Sequence, residues 1–305
     1  MDFLLYWTVR IIIGGISMLP LDLVARIGRA LGAIAYTLDA RHRKVALNNL
    51  TAAFQGERTE AEIRALAREN FKRLGENYCC AIKTAFMSEA AVAERLETVG
   101  VEPLAPYAAR GQNLVVAIGH FGNFELYARA NFKVGEYTFA TTYRALRQPA
   151  LTRLMQELRS KSHCVFFERR TDADALKTAM NKGRVMIGLL SDQHAGRSGV
   201  WVPFFGRSCS TSTAPAVLAL RYDARLFSAI CYRTKLAHWR IEVGPEIALH
   251  TADGEPRKTA DVMSEVNAHL EAAVRRDPAN WFWVHKRWKP PEKRQLLSVA
   301  ADERV

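Results

Sequence analysis

Several familiar signatures are missing from this chain, and each absence removes a class of function. No Cys-x-x-Cys occurs among its five cysteines, Cys79, Cys80, Cys164, Cys209 and Cys231. Zinc-ribbon and thiol-redox readings therefore fail, and buried free thiols in a reducing compartment fit better. There is no Gly-x-Ser-x-Gly elbow, no Walker loop and no Gly-x-Gly-x-x-Gly turn, so neither a serine hydrolase nor a nucleotide site has support. No apolar run reaches the roughly 20 residues that a spanning helix needs. The nearest, Phe3–Leu19, is short, carries Arg10, Gly14, Gly15 and Ser17, and stops at Pro20. It lacks the small-residue cleavage pattern of a signal peptide. A helix lying in a membrane interface fits it better, with Tyr6 and Trp7 at headgroup level; a core-packed helix and a single spanning anchor are the alternatives. Internal repeats and low-complexity segments are also missing. Acidic residues are scarce beside basic ones, 31 against 43, for a net charge of +12. Such a surplus suits a polyanionic partner: nucleic acid, anionic lipid headgroups or an acidic carrier protein.

With 305 residues, 49% of them hydrophobic, the chain can bury a full core. Leu21–Leu38 continues the apolar N-terminus as a helix, and Arg41-His42-Arg43-Lys44 follows as a basic cluster. Glu60–Phe86 has apolar residues at helical spacing and reads as a scaffold helix. Ser88–Leu96 reads as another helix, and 99–101 as a short strand. Beyond it, strands are expected at Leu114–Ile118, Tyr137–Tyr143, Cys164–Phe167, Val185–Leu190, Leu226–Tyr232 and Trp239–Val243. Helices alternate with them at Phe124–Asn131, Ala150–Lys161, Asp172–Asn181 and Thr213–Tyr222, and Thr259–Arg276 is a last amphipathic helix. The alternation predicts an α/β fold with a mostly parallel central sheet flanked by helices, behind an N-terminal membrane-associated helical region. The expected division is 1–40 membrane-associating, 41–292 the main domain and 293–305 a loosely ordered tail.

Sites in such sheets lie at the carboxyl ends of strands. There stands Gly119-His120-Phe121-Gly122-Asn123-Phe124-Glu125. With His120 in the turn before a helix, the Glu125 carboxylate can reach back to its ring. That would fix the tautomer and leave the other nitrogen as a base. A histidine paired with an acid inside a core carries the same signature. Arg144, after the next strand, can hold a phosphate or an oxyanion. Arg169 and Arg170, and then Ser191-Asp192-Gln193-His194, follow two further strands and should converge beside His120. His194 has no partner at metal-ligand spacing, so no metal or other cofactor is expected. The aromatic stretch Gly199–Gly206, with Phe204 and Phe205, is expected to line an acyl channel. In Trp281-Phe282-Trp283-Val284-His285-Lys286-Arg287-Trp288-Lys289, tryptophans interleave with cations. That pattern suits stacking on bases, or an interfacial belt with His285 and Arg287 near phosphates. No nucleic-acid-reading motif supports the former.

The histidine-to-acid motif, Asp192-Gln193, Val202-Pro203-Phe204-Phe205-Gly206 with Thr211, and the tryptophan-rich end together resemble the late acyltransferases of lipid A biosynthesis. These lauroyl/myristoyl transferases fall within the lysophospholipid acyltransferase-like group. Order and spacing agree from Met1 to about Pro291. The chain departs at Phe124, often tryptophan, and at His194, often acidic. The resemblance implies an enzyme on the cytoplasmic face of an inner membrane. It would move a fatty acyl chain from acyl carrier protein, or acyl-CoA, to a hydroxyl of a lipid A precursor, with no nucleic acid involved. His120 and Glu125 would be the catalytic pair, and Asn123 would join the substrate-binding set. The alkoxide would attack the thioester directly, with backbone amides near Gly122, or Arg144, holding the oxyanion. Another lipid acceptor, a phospholipid, ornithine lipid or glycolipid, is the alternative.

Overall fold

A computed structural model describes residues 2–130, 132 and 135–290. Four helices come first: α1 (Asp2–Met18), α2 (Leu21–Leu38), α3 (Ala40–Ala53) and α4 (Glu60–Thr84). Thr59 and Glu62 close a capping box at the start of α4, each side chain accepting the other's backbone N–H. The basic cluster Arg41–Lys44 forms the first turn of α3, capped by Asp39. Helices α2 and α4 cross backbone to backbone. A Cβ on Gly28 or Gly32 would come within 2.5 Å of a carbonyl oxygen of α4, and one on Gly75 would strike Gly28 in return. Between them sits Glu76, fully buried, taking Nε of Arg233, the amide of Ala237 and a guanidinium nitrogen of Arg29.

The remaining elements are α5 (Glu89–Ala93), β1 (Leu96–Val99), α6 (Ala105–Ala109), β2 (Leu114–Ile118), β3 (Thr138–Tyr143), α7 (Pro149–Arg159), β4 (Val165–Glu168), α8 (Ala173–Lys182), β5 (Val185–Leu190), β6 (Val200–Phe204), β7 (Arg207–Thr211), α9 (Ala214–Arg221), β8 (Arg225–Lys235), β9 (His238–Ile247) and α10 (Thr259–Arg276). Seven strands form one sheet in the order β1-β9-β8-β2-β5-β3-β4, and only the β8–β9 pair is antiparallel. The α/β expectation of a mostly parallel sheet flanked by helices is met. Alternation along β2 shows why the sheet is covered on both faces. Val115 and Ala117 enter one core with α8, α9 and α10, while Leu114, Val116 and Ile118 enter a second beneath α2.

Two elements differ from expectation. The first strand lies at Leu96–Val99, because α5 stops at Ala93. The expected helix after His120 is a short 3-10 turn, Phe124–Ala128, with Asn131 outside the described residues. The expected tail, 293–305, also lies outside them. Among the described residues no helix is long and apolar enough to cross a membrane. Helix α1 docks on α7 through Tyr6 and Ile13, where Tyr6 and Arg10 both bind Glu157.

Candidate active site

The turn after β2 is fixed by residues far along the chain. Gly122 takes φ +51°, which favours glycine, and a Cβ there would also meet the Cys231 carbonyl at 2.6 Å. Its amide donates to Asn280 O at 3.0 Å, and Phe121 bridges to Trp281. Strand β5 lies directly beside β2, and Ser191 N donates to Ile118 O one step past the ladder. The residue after Ser191 thus arrives next to His120.

That residue is Asp192, and it supplies the contact expected of Glu125. Oδ1 lies 2.8 Å from His120 Nδ1, and Oδ2 accepts the His120 backbone amide at 2.8 Å. The indole N–H of Trp281 also donates to Oδ2, at 2.8 Å. Burial works to raise the Asp192 pKa; the His120 charge, both His120 donors and the Trp281 indole overcome it and hold the carboxyl at about 2. Asp192 is therefore ionised across the physiological range. It fixes the tautomer with the proton on Nδ1, leaving Nε2 as an acceptor. The ring is 14% exposed, edge-on to Phe124 and beside Phe282, with the Gln193 amide nitrogen 3.5 Å from Nε2.

Glu125 points away from this pair. It forms a two-pronged salt bridge with Arg159 of α7, at 2.6 and 3.1 Å. The 3-10 turn, in place of a regular helix, aims residue 125 toward α7. Arg159 in turn lies over the ring of Phe166. Asn123 is 1% exposed, and neither atom of its side-chain amide has a hydrogen-bond partner. Gly122 N–H, expected to help at an oxyanion, is already spent on Asn280.

Two cavities meet here. A narrow trough runs along the sheet face beneath Phe124 and Tyr127, lined by Val116, Ile118, Phe139, Met186, Gly188 and Leu190, with a cavity volume of about 70 Å³. A broad cleft of about 1380 Å³ holds His120, Asn123, Gln193 and His194 on its floor. Phe124, Glu125, Tyr143, Arg159 and Leu190 line both, so the trough opens into the cleft beside His120. Arg144, Arg169, Lys177 and Arg221 line the cleft wall and are all exposed. Arg170 is exposed but outside the lining.

Comparison with known proteins gives the family. A family model for bacterial lipid A biosynthesis acyltransferases matches residues 2–290. The chain belongs to that family. It is 27% identical to the lipid A biosynthesis lauroyltransferase of Escherichia coli (strain K12), over 93% of this chain and 92% of that one. It is 23% identical to the lipid A biosynthesis palmitoleoyltransferase of the same strain, over 89% and 86%. A phosphatidylinositol mannoside acyltransferase of Mycolicibacterium smegmatis is 26% identical over 66% of this chain and 65% of its own. This family member is accordingly an acyl-transferring enzyme.

Several residues expected at the substrate of this acyltransferase lie elsewhere. The stretch Gly199–Gly206 is not a channel wall: β6 and β7 form an antiparallel hairpin. Phe204 and Phe205 turn into the core against Trp281, Trp283 and Trp288. Arg287 is fully buried, with its guanidinium spent on the carbonyls of Ser210 and Gln193 and on Thr211 Oγ1. It cannot meet a lipid phosphate from there. His285 Nε2 accepts the His194 amide at 3.1 Å, and burial, aided by neighbouring cations, lowers its pKa to about 4. It stays neutral and secures the loop that carries Asp192. The C-terminal tryptophans and cations thus support the site from behind. Trp281 and Arg159, the residues now seen to hold the two carboxylates, were not singled out from the sequence. Trp281 had one signal, as part of the tryptophan-rich end, and Arg159 had none.

Proposed function

We propose that this acyltransferase moves a fatty acyl chain from a thioester on acyl carrier protein to a hydroxyl of a lipid A precursor. His120 Nε2 takes the hydroxyl proton while ionised Asp192 stabilises the imidazolium. The alkoxide adds to the thioester carbonyl, the tetrahedral intermediate collapses, and the C–S bond breaks. The departing thiolate takes the proton from the imidazolium, leaving an ester and a free thiol. No acyl-enzyme is needed. The unpartnered Asn123 amide and Arg144 are the groups suited to the oxyanion. Glu125 acts through Arg159, which it holds at the mouth of the trough. The cations of the cleft wall suit the acceptor's phosphates or the acidic carrier.

One observation carries this reading: a histidine whose Nδ1–H is clamped by an ionised, buried aspartate, with Nε2 turned to a cleft that an apolar trough enters. The exposed apolar residues Phe3, Leu4, Trp7 and Ile11 of α1, with Leu31, Ile34 and Leu38 of α2, suit seating in the interface of an inner membrane at its cytoplasmic face. The test is transfer by purified protein in mixed micelles, read by mass spectrometry. Donors are carrier-protein and CoA thioesters, and acceptors are a lipid A precursor, a lysophospholipid and a phosphatidylinositol mannoside. Ester formation on the lipid A precursor from the carrier thioester is expected. Transfer only to another acceptor would replace the acceptor assignment, and the mannoside is included because of the relatives bearing that name. Full turnover by His120→Ala would end the mechanism.

A further inference from the structure

Three neighbouring strands place a gap in the middle of the trough. Gly188 of β5 pairs with Val116 of β2 on one side and Thr141 of β3 on the other. Met186, Gly188 and Leu190 alternate onto the same face, and all three line the trough. Gly188 therefore leaves the trough floor bare between a bulky residue at each end. At the inner end Met186, paired with Leu114 of β2 and Phe139 of β3, lines the trough together with Phe139. At the outer end Leu190 and Tyr143 sit at the shared mouth near His120.

We infer that Gly188 sets the acyl-chain length this enzyme accepts, by keeping the trough open as far as Met186. The inference rests on the proposed acyl-transfer function. From Leu190 to Met186 is four strand residues, about 13 Å, the extended length of roughly ten methylenes. Adding the carbons between the mouth and His120 gives a saturated chain of about twelve carbons, between roughly ten and fourteen. A side chain at 188 would rise at the midpoint and remove about half of that depth, roughly five methylenes. The strand itself can bear the change. Gly188 is not at positive φ, and the nearest atom to an added Cβ is Ile118 Cδ1 at 3.2 Å, the free end of a side chain. Backbone approaches no closer than the Ala140 carbonyl at 4.0 Å.

The experiment is a competition among octanoyl through stearoyl thioesters for one acceptor, with the full-length wild type, Gly188→Ala and Gly188→Val. Product chain length is read by mass spectrometry. The same donors' free acids are also titrated as competitors of a fluorescent fatty-acid probe, which needs no turnover. Wild type should peak near lauroyl. Gly188→Val should move the peak by at least four carbons toward octanoyl and lose most transfer of the wild-type chain, while keeping octanoyl transfer within about threefold. Gly188→Ala should shift less in the same direction, and it carries the test if the valine variant does not fold. An unchanged peak and unchanged probe competition in a folded variant, or a wild-type preference for stearoyl, overturns the assignment. Length-dependent probe competition from a wild type that transfers no chain would sink the acyl-transfer reading and leave the trough assignment standing.

Discussion

Glu125 and Asp192 are both acidic residues close to the turn that carries His120, and the fold treats them in opposite ways. Glu125 is five positions from His120, remains partly exposed and is neutralised by Arg159. Asp192 is 72 positions away, is sealed from solvent and is held by His120 and Trp281. Nearness along the chain favours the first, and strand adjacency delivers the second. A buried carboxylate is costly unless its charge is matched. Asp192 is matched only while the imidazole and the indole stay in place, so its ionisation and the ring's orientation depend on each other. Glu125 sits where solvent shares the load, so its pairing with Arg159 shapes the trough mouth and leaves the proton chemistry alone.

The largest effect should come from the pair itself. His120→Ala should lower kcat by 10²–10⁴, the usual worth of a positioned base. Asp192→Asn should fall in the same range, because the amide no longer enforces the tautomer. The double variant should be little worse than either single one, since the two act as a unit. Steady-state kinetics on all three check this. Additive losses would mean that the two residues act separately.

Glu125→Gln should cost far less, roughly tenfold, the scale of one charge-assisted hydrogen bond. The loss should appear mainly in KM for the thioester donor, with the pH profile of kcat unmoved. Should Glu125→Gln instead match Asp192→Asn in kcat, the contrast between the two carboxylates collapses. Glu125 would then be a proton-handling group.

The contrast also marks what sequence periodicity conveys. Strands β2 and β5 have the bounds expected of them, because short buried apolar runs between turn residues admit few alternatives. That His120 would lie past the carboxyl end of a sheet strand followed from the parallel topology alone. What did not follow was strand order: nothing in residues 114–192 says that β5 lies between β2 and β3, and that adjacency is what brings Asp192 to His120. The β6–β7 hairpin was hidden for a different reason. Trp201, Phe204 and Phe205 suit a lipid-lined wall as well as a core, and only the pairing of Val202 with Cys209 separates the two. Arg287 was hidden by its charge. A fully buried arginine is rare, and it is tolerable here because backbone carbonyls and Thr211 surround it.

The remaining expected effect is thermodynamic, and its sign is set by the pKa of Asp192. Folding lowers that pKa from the usual 3.8 to about 2. A group depressed by folding contributes stability that is fully present above its unfolded value and is lost as pH falls through its folded value. The shift corresponds to about 2 kcal/mol. Wild type should therefore exceed Asp192→Asn in urea-unfolding free energy at neutral pH. The gap should hold down to about pH 4 and then narrow toward pH 2, as wild-type Asp192 itself takes up a proton. Trp281→Phe removes one of the donors that hold the carboxylate ionised, so its own decline should be smaller and should end at a higher pH than the wild type's. The corresponding Glu125→Gln gap, set by a solvent-shared pair, should be smaller at every pH. A gap between wild type and Asp192→Asn that stays constant from neutral pH to pH 2 would mean that Asp192 does not bear the charge on which the His120 arrangement depends.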